Sequence, residues 1–305
     1  MIRPLLLLPL LLAGLAATTT GRAETLQVPP FKDDLFGYRR ILSTDHGGDF
    51  VRVEFDKARD IDARDAEPLK RAHDRYVSLD VNDTKRDLAI GPRNRPVPFL
   101  AVGRTGGGAR LIVVFLHGAH GDRRLAMEDH RFGGNFNRLK NLVARAGGVY
   151  LTPQLTDFAR SDTADVAEII RVYREASPGA PVVVGCASTG CKVVFRLLGG
   201  AKTAPLVDGV VLLGALATRQ PGEGTLLSAD ALARRAPPVA VYLGHGSADT
   251  VVPWEAQEAF FKAVKAKAPD YPIRFELFSS GDAVHGTPLR MVDWRSVLNW
   301  ILSRS

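Results

Sequence analysis

Along this chain the apolar positions fall into blocks whose period changes from one segment to the next. RLIVVFLHG (110–118) is apolar without interruption until it meets a histidine and a glycine, the pattern of a strand buried on both faces. Strands are likewise expected at 148–154, 181–187, 207–215, 239–246 and 273–280. Between them the period lengthens. Val166, Ile169, Ile170 and Tyr173 fall at helical spacing within 164–176, and Ser177-Pro178-Gly179 stops that helix. The same reading places helices at 135–145, 189–198, 229–235, 254–268 and 293–303. Upstream, YVSLDV (76–81) and PVPFLAV (96–102) read as strands, and residues 36–56 as two short strands around the turn His46-Gly47-Gly48. A charge-rich run, 57–75, follows that pair and has room for a short helix.

Strands alternating with helices imply right-handed crossovers and an α/β architecture, a mainly parallel sheet flanked by helices. We therefore expect one catalytic-sized domain over 76–305 and an N-terminal extension with short strands over 24–75. Residues 1–23 are read differently. A positive start at Arg3, an apolar run over 4–17 and the small residues of Gly21-Arg22-Ala23 form a signal peptide with cleavage before Glu24. The run is shorter than the roughly 20 residues that span a bilayer, so cleavage is expected rather than stable membrane insertion.

Composition changes this picture little. With 46% hydrophobic and 24% charged residues the chain is globular. Its net charge of +7 falls by the two leader arginines to +5 after cleavage, and the charges are interspersed. With no Lys/Arg-rich run, a nucleic-acid partner is not expected.

In parallel α/β sheets, reactive groups belong at the carboxyl ends of strands, and here those ends are chemically loaded. After 110–116 comes His117-Gly118-Ala119-His120-Gly121-Asp122, and after 181–187 comes Ser188-Thr189-Gly190. After 239–244 comes His245-Gly246-Ser247-Ala248-Asp249-Thr250-Val251-Val252-Pro253, and after 273–280 comes Gly281-Asp282-Ala283-Val284-His285-Gly286. A serine, an aspartate and a histidine thus follow buried strands in that order.

These motifs, over roughly 76–305, resemble the α/β-hydrolase superfamily. The His-Gly-x-x-Asp-x-Val-Val-Pro block is similar to that of carboxylesterases and acyl-thioesterases. The resemblance implies an α/β-hydrolase fold and a serine hydrolase with the triad Ser188, Asp249 and His285. A serine hydroxyl attacks only when an imidazole takes its proton, the role of His285. A carboxylate must then fix the imidazole tautomer, the role of Asp249. The family pattern also implies an oxyanion hole from the backbone N–H groups of Thr189 and Ala119.

Each assignment has a plainer rival. Ser188 could cap the following helix, His285 could be a surface loop residue, and Asp282 competes with Asp249 for the acid. His245 is expected to be structural, shaping the turn that presents Asp249. His117, His120, Asp122, Asp129 and His130 fit no standard zinc spacing, so neither a metal nor a cofactor is expected. The elbow also departs from Gly-x-Ser-x-Gly, with Cys186 at the first position and Gly185 one residue earlier. A register with Cys186 as nucleophile would bury the attacking atom inside the strand. Cys186 and Cys191 admit two readings: a disulfide beside the nucleophile, as in certain secreted ester hydrolases, or two buried small hydrophobes.

The expectation is an exported hydrolase, secreted or periplasmic, cleaving a small or polymer-borne acyl ester or thioester through an acyl-enzyme. The short stretches after 154 and over 216–238 imply no large lid. A peptidase, acyltransferase or polyester depolymerase would use the same triad. A non-catalytic binding protein of this fold would need no such set.

Overall fold

The computed structural model describes residues 26–66, 71–92, 94–215 and 228–304. The expected leader, 1–23, lies outside the described residues, as does 216–227, about half of the stretch in which a lid was discounted.

The chain opens with helix α1 (Asp33–Phe36) and strands β1 (Ile41–Asp45) and β2 (Phe50–Glu54). A two-residue hairpin follows, β3 (Asp65–Ala66) with β4 (Arg71–Ala72), then β5 (Arg86–Ile90) and β6 (Val97–Gly103). The alternating part runs β7 (Ile112–Leu116), α2 (Asn135–Arg145), β8 (Val149–Pro153), α3 (Arg160–Ala176), β9 (Val182–Ala187) and α4 (Cys191–Gly199). It continues with β10 (Gly209–Leu213), α5 (Ala229–Ala233), β11 (Ala240–Gly246), α6 (Trp254–Lys267) and β12 (Ile273–Ser279). Helices α7 (Thr287–Met291) and α8 (Trp294–Leu302) close the chain.

Ten strands form one sheet in the order β1-β2-β12-β11-β10-β9-β7-β8-β6-β5. From β2 to β8 every neighbouring pair is parallel, and the pairs at the two edges are antiparallel. The apolar runs explain the centre. Every residue of β7, β8, β9, β10 and β11 is buried, as strands covered on both faces must be. One face packs the apolar stripes of α3, α4 and α6, and the other packs those of α2 and α8.

Connectivity makes a crevice. From β7 the chain passes to β8 on one side, then returns to β9 on the other side of β7. Helices α2 and α4, which follow β7 and β9, therefore lie on opposite faces. A sheet with such a switch point splits open at the carboxyl ends of those two strands.

The two strands expected around His46–Gly48 are β1 and β2, and they join the main sheet beside β12. Ahead of them, residues 26–38 are stapled to α2 and α8. Val28 N–H donates to Asn299 Oδ1 at 2.7 Å, and the buried Arg138 guanidinium bridges Asp33 (2.9 Å) and Asp293 (2.8 Å). The strand expected at 76–81 is absent. Tyr76 is buried edge-on against Phe36 with ring centroids 5.8 Å apart. The Ser78 backbone then bonds to side chains rather than to a strand: its N–H donates to Asn137 Oδ1, and its carbonyl accepts from Asn137 and Asn141. With its main chain satisfied by α2, the segment has no reason to enter the sheet, and pairing begins instead at Arg86.

Candidate active site

Strand β9 runs directly into Ser188, whose φ is 49°. A side chain in the left-handed region costs about 1–2 kcal/mol, so its surroundings must hold it there. Ser188 opens a 3₁₀ turn, Ser188–Gly190, that leads into α4, and no side chain caps that helix. The capping reading of Ser188 therefore fails. Gly190 is required for another reason: a Cβ there would fall on the carbonyl oxygen of His117. Gly185 lies against the Phe115 ring, where a Cβ would come within 2.8 Å.

At the first elbow position, Cys186 is bonded to Cys191, with their Cα atoms 5.1 Å apart. Both residues are fully buried, in the core on the α4 side of the sheet. The disulfide reading thus holds over the free-cysteine one. It ties the last turn of strand before Ser188 to the first turn of helix after it. It also takes Cys186 out of contention as a nucleophile.

Asp249 leaves β11 on a turn closed by its own N–H to the Gly246 carbonyl (3.2 Å). Its side chain is fully buried yet collects four donors. Oδ1 accepts from the backbone N–H groups of Val251 (2.8 Å) and Val252 (2.9 Å). Oδ2 accepts from His285 Nδ1 at 2.6 Å and lies 3.0 Å from His245 Nε2. Burial alone would raise this carboxyl, but the bonds from His245, His285, Val252 and Val251 outweigh it and hold the group well below the usual carboxylate range. An ionised acceptor requires the proton on His285 Nδ1, which leaves Nε2 as the free base. Asp282, the rival acid, is exposed, and its N–H donates to Ser280 Oγ.

Strand register brings Ser188 and His285 to the same place. Ala187 pairs with Leu213, so Gly214, the residue after β10, falls beside Ser188. The His285 ring lies over Gly214, where a Cβ would stand 3.0 Å from its Cε1. Gly214 has a φ of 58° and no room for a side chain, a site residue that the sequence reading missed because glycine at a strand end carries many meanings. No hydrogen bond joins Ser188 Oγ to His285 among the described residues. In uncomplexed hydrolases that bond is often long and tightens with substrate.

The loop after β7 completes the constellation. Gly118 packs on the elbow, with a Cβ there 3.0 Å from the Ala187 carbonyl oxygen and 3.2 Å from Ser188 Cβ. Gly121 N–H closes a turn onto the Gly118 carbonyl at 3.2 Å, with His120 at a φ of 61°. Within it the Ala119 N–H, like that of Thr189, has no hydrogen-bond partner among the described residues. His117 braces the loop. Its Nε2 accepts from Leu155 N–H (3.1 Å), so Nδ1 carries the proton and donates to the Gly118 carbonyl (2.9 Å).

The remaining loop residues are engaged elsewhere. Asp122 binds Arg124, Asp129 pairs with the buried Lys140, and His130 meets Arg71 at 2.8 Å. No group of three or more His, Cys, Asp or Glu side chains able to hold a metal gathers among the described residues.

No protein-family model matches this sequence, and no curated protein does. Solved structures do match. An esterase of Pyrococcus furiosus superposes with a TM-score of 0.54 at 15% identity, over 74% of this chain and 92% of that one. A Thermogutta terrifontis esterase with bound butyrate does so with a TM-score of 0.51 at 14% identity, over 72% and 94%. The chain has the α/β-hydrolase fold that the sequence resemblance implied.

Proposed function

We propose that the protein is a serine hydrolase that cleaves a carboxylic ester or thioester through an acyl-enzyme intermediate. The observation that carries this reading is the Asp249–His285 bond of 2.6 Å set over the strand end next to Ser188, itself at a φ of 49°. Ser188 Oγ attacks the acyl carbon while His285 Nε2 takes its proton. The Thr189 and Ala119 N–H groups receive the oxyanion. His285 returns the proton to the departing alcohol or thiol, and the acyl group stays on Ser188. A water, deprotonated by the same imidazole, then releases the acid and frees the serine.

The substrate side is supported by two exposed valines on the loops that carry the acid and the base. Val251 is 67% exposed and Val284 52%, an apolar rim suited to an acyl chain. Six residues, 154–159, separate β8 from α3, leaving little cover on that side for a buried long-chain site. Small or polymer-borne acyl esters are therefore the proposed substrates, and both solved relatives are described as esterases. We place the enzyme outside the cytoplasm, secreted or periplasmic, with residues 1–23 removed, 24–75 as an extension and 76–305 as the catalytic domain. A disulfide persists in such compartments, and no helix among the described residues is long and apolar enough to cross a membrane.

A fluorophosphonate probe tests the chemistry. Wild type should be labelled once and Ser188→Ala not at all. Absence of wild-type labelling, or equal labelling of the variant, rejects the proposal. A panel of acyl esters of graded chain length then reads the substrate class.

A further inference from the structure

His245 is a buried polar side chain at the end of β11, two strand positions beyond Leu243 and wholly hidden from solvent. Its Nε2 lies 2.9 Å from the Val252 carbonyl and 3.0 Å from Asp249 Oδ2. Both neighbours are acceptors, so Nε2 carries the ring proton, which it donates to the Val252 carbonyl with Asp249 Oδ2 alongside. Its Nδ1 is buried without a partner. A purely structural residue here would gain from being apolar, because an orphaned buried ring nitrogen costs stability. What the imidazole adds is its single N–H, held within 3.0 Å of the carboxylate oxygen that also receives His285.

We propose that His245 is a positioning residue for the Ser188 reaction, setting both the orientation and the acceptor strength of Asp249. This rests on the serine-hydrolase reading. With two donors on each oxygen the carboxylate cannot rotate about its Cβ–Cγ bond without breaking several bonds at once. The His245 N–H also draws charge from Oδ2, weakening its pull on the Nδ1 proton of His285. Among the described residues, His245 and His285 are the titratable groups that meet the Asp249 carboxylate. Asp282, on the loop of His285, is exposed and faces solvent.

The test compares His245→Leu with His245→Gln, whose amide N–H can reach the position of Nε2. For His245→Leu, kcat on a short acyl ester should fall by about tenfold to a hundredfold with KM little changed. The acidic limb of its kcat/KM profile should move to higher pH, and His245→Gln should restore both. A wild-type profile in His245→Leu overturns the proposal. So does a His245→Gln as impaired as the leucine variant while equally well folded by circular dichroism. Nitrogen-15 spectra of wild-type histidines decide the case without any variant. His245 protonated at Nε2 and hydrogen-bonded is required, and the Nδ1–H tautomer rejects the idea even if His245→Leu does not fold. If wild type neither labels nor turns over esters, the functional reading fails, while the tautomer result stands by itself.

Discussion

Two buried carboxylates on neighbouring strands meet opposite fates. Asp249, just beyond β11, and Glu276, in the middle of β12, are both nearly inaccessible. Burial is the largest influence on each and pushes each upward. For Glu276 the push wins. Its Oε2 accepts from two phenols, Tyr242 at 2.6 Å and Tyr38, and these offset the loss of water only in part. For Asp249 two peptide N–H groups and two imidazoles win instead, and the group is driven down. Donor number and kind, more than depth, decide whether a buried acid stays charged. The acid of the proposed triad is wired with N–H donors. The one that only stitches β11, β12 and the N-terminal segment together is served by hydroxyls.

The sharpest way to break this contrast is Asp249→Asn. An amide cannot accept from His285 as a carboxylate does and favours the wrong tautomer, so kcat should fall by about 10⁴-fold with the fold intact. Turnover on a short ester, with circular dichroism as control, checks it. A loss under tenfold would mean Asp249 is not the acid. Next in size, Glu276→Leu orphans two buried phenol hydroxyls and should lower stability by about 2 kcal/mol or more. Denaturant melts measure the loss, while kcat per folded molecule should remain that of wild type.

The smallest effect is the pH dependence, and its sign differs between the two acids. Asp249 is depressed in the folded protein, so its stabilising contribution is present above the ordinary carboxylate range and fades as pH falls through its lower folded value. Glu276 is raised above 4.5, so its contribution is present at acid pH and is lost as pH rises through its folded value. Glu276→Gln, locked neutral, should therefore gain in melting temperature relative to wild type between pH 4 and pH 7. A difference that stays flat or shrinks over that span would show that Glu276 is not held protonated.

Much of this arrangement could be read without coordinates. Ser188, Asp249 and His285 each lie just beyond a largely apolar strand, where the end of a buried strand leaves room for a polar residue. Gly118 and Gly190 were legible for the same reason. The donors on Asp249 were not. His245 looked like a turn-shaping residue, and nothing in its neighbours told which nitrogen would face the acid. The 76–81 segment alternates like a strand, yet its partners are Asn137 and Asn141, some sixty residues away on α2. Lys140 and Arg138 sit in a helix that reads as half polar, and both are buried through pairs with Asp129, Asp33 and Asp293.

From β6 onward the alternation of strands and helices, the fold class and the residues that end the central strands were legible in the chain alone, because local periodicity records which faces are buried. The packing of the folded chain settled the two readings of Cys186 and Cys191, set Asp249 rather than Asp282 against His285, and brought His245 and Gly214 beside them. Those choices depend on register and on contacts between segments far apart in the chain. His285 and Asp249 are separated by 36 residues yet stand 2.6 Å apart. Hydrophobic periodicity says that each segment must be buried, whereas only packing says against what.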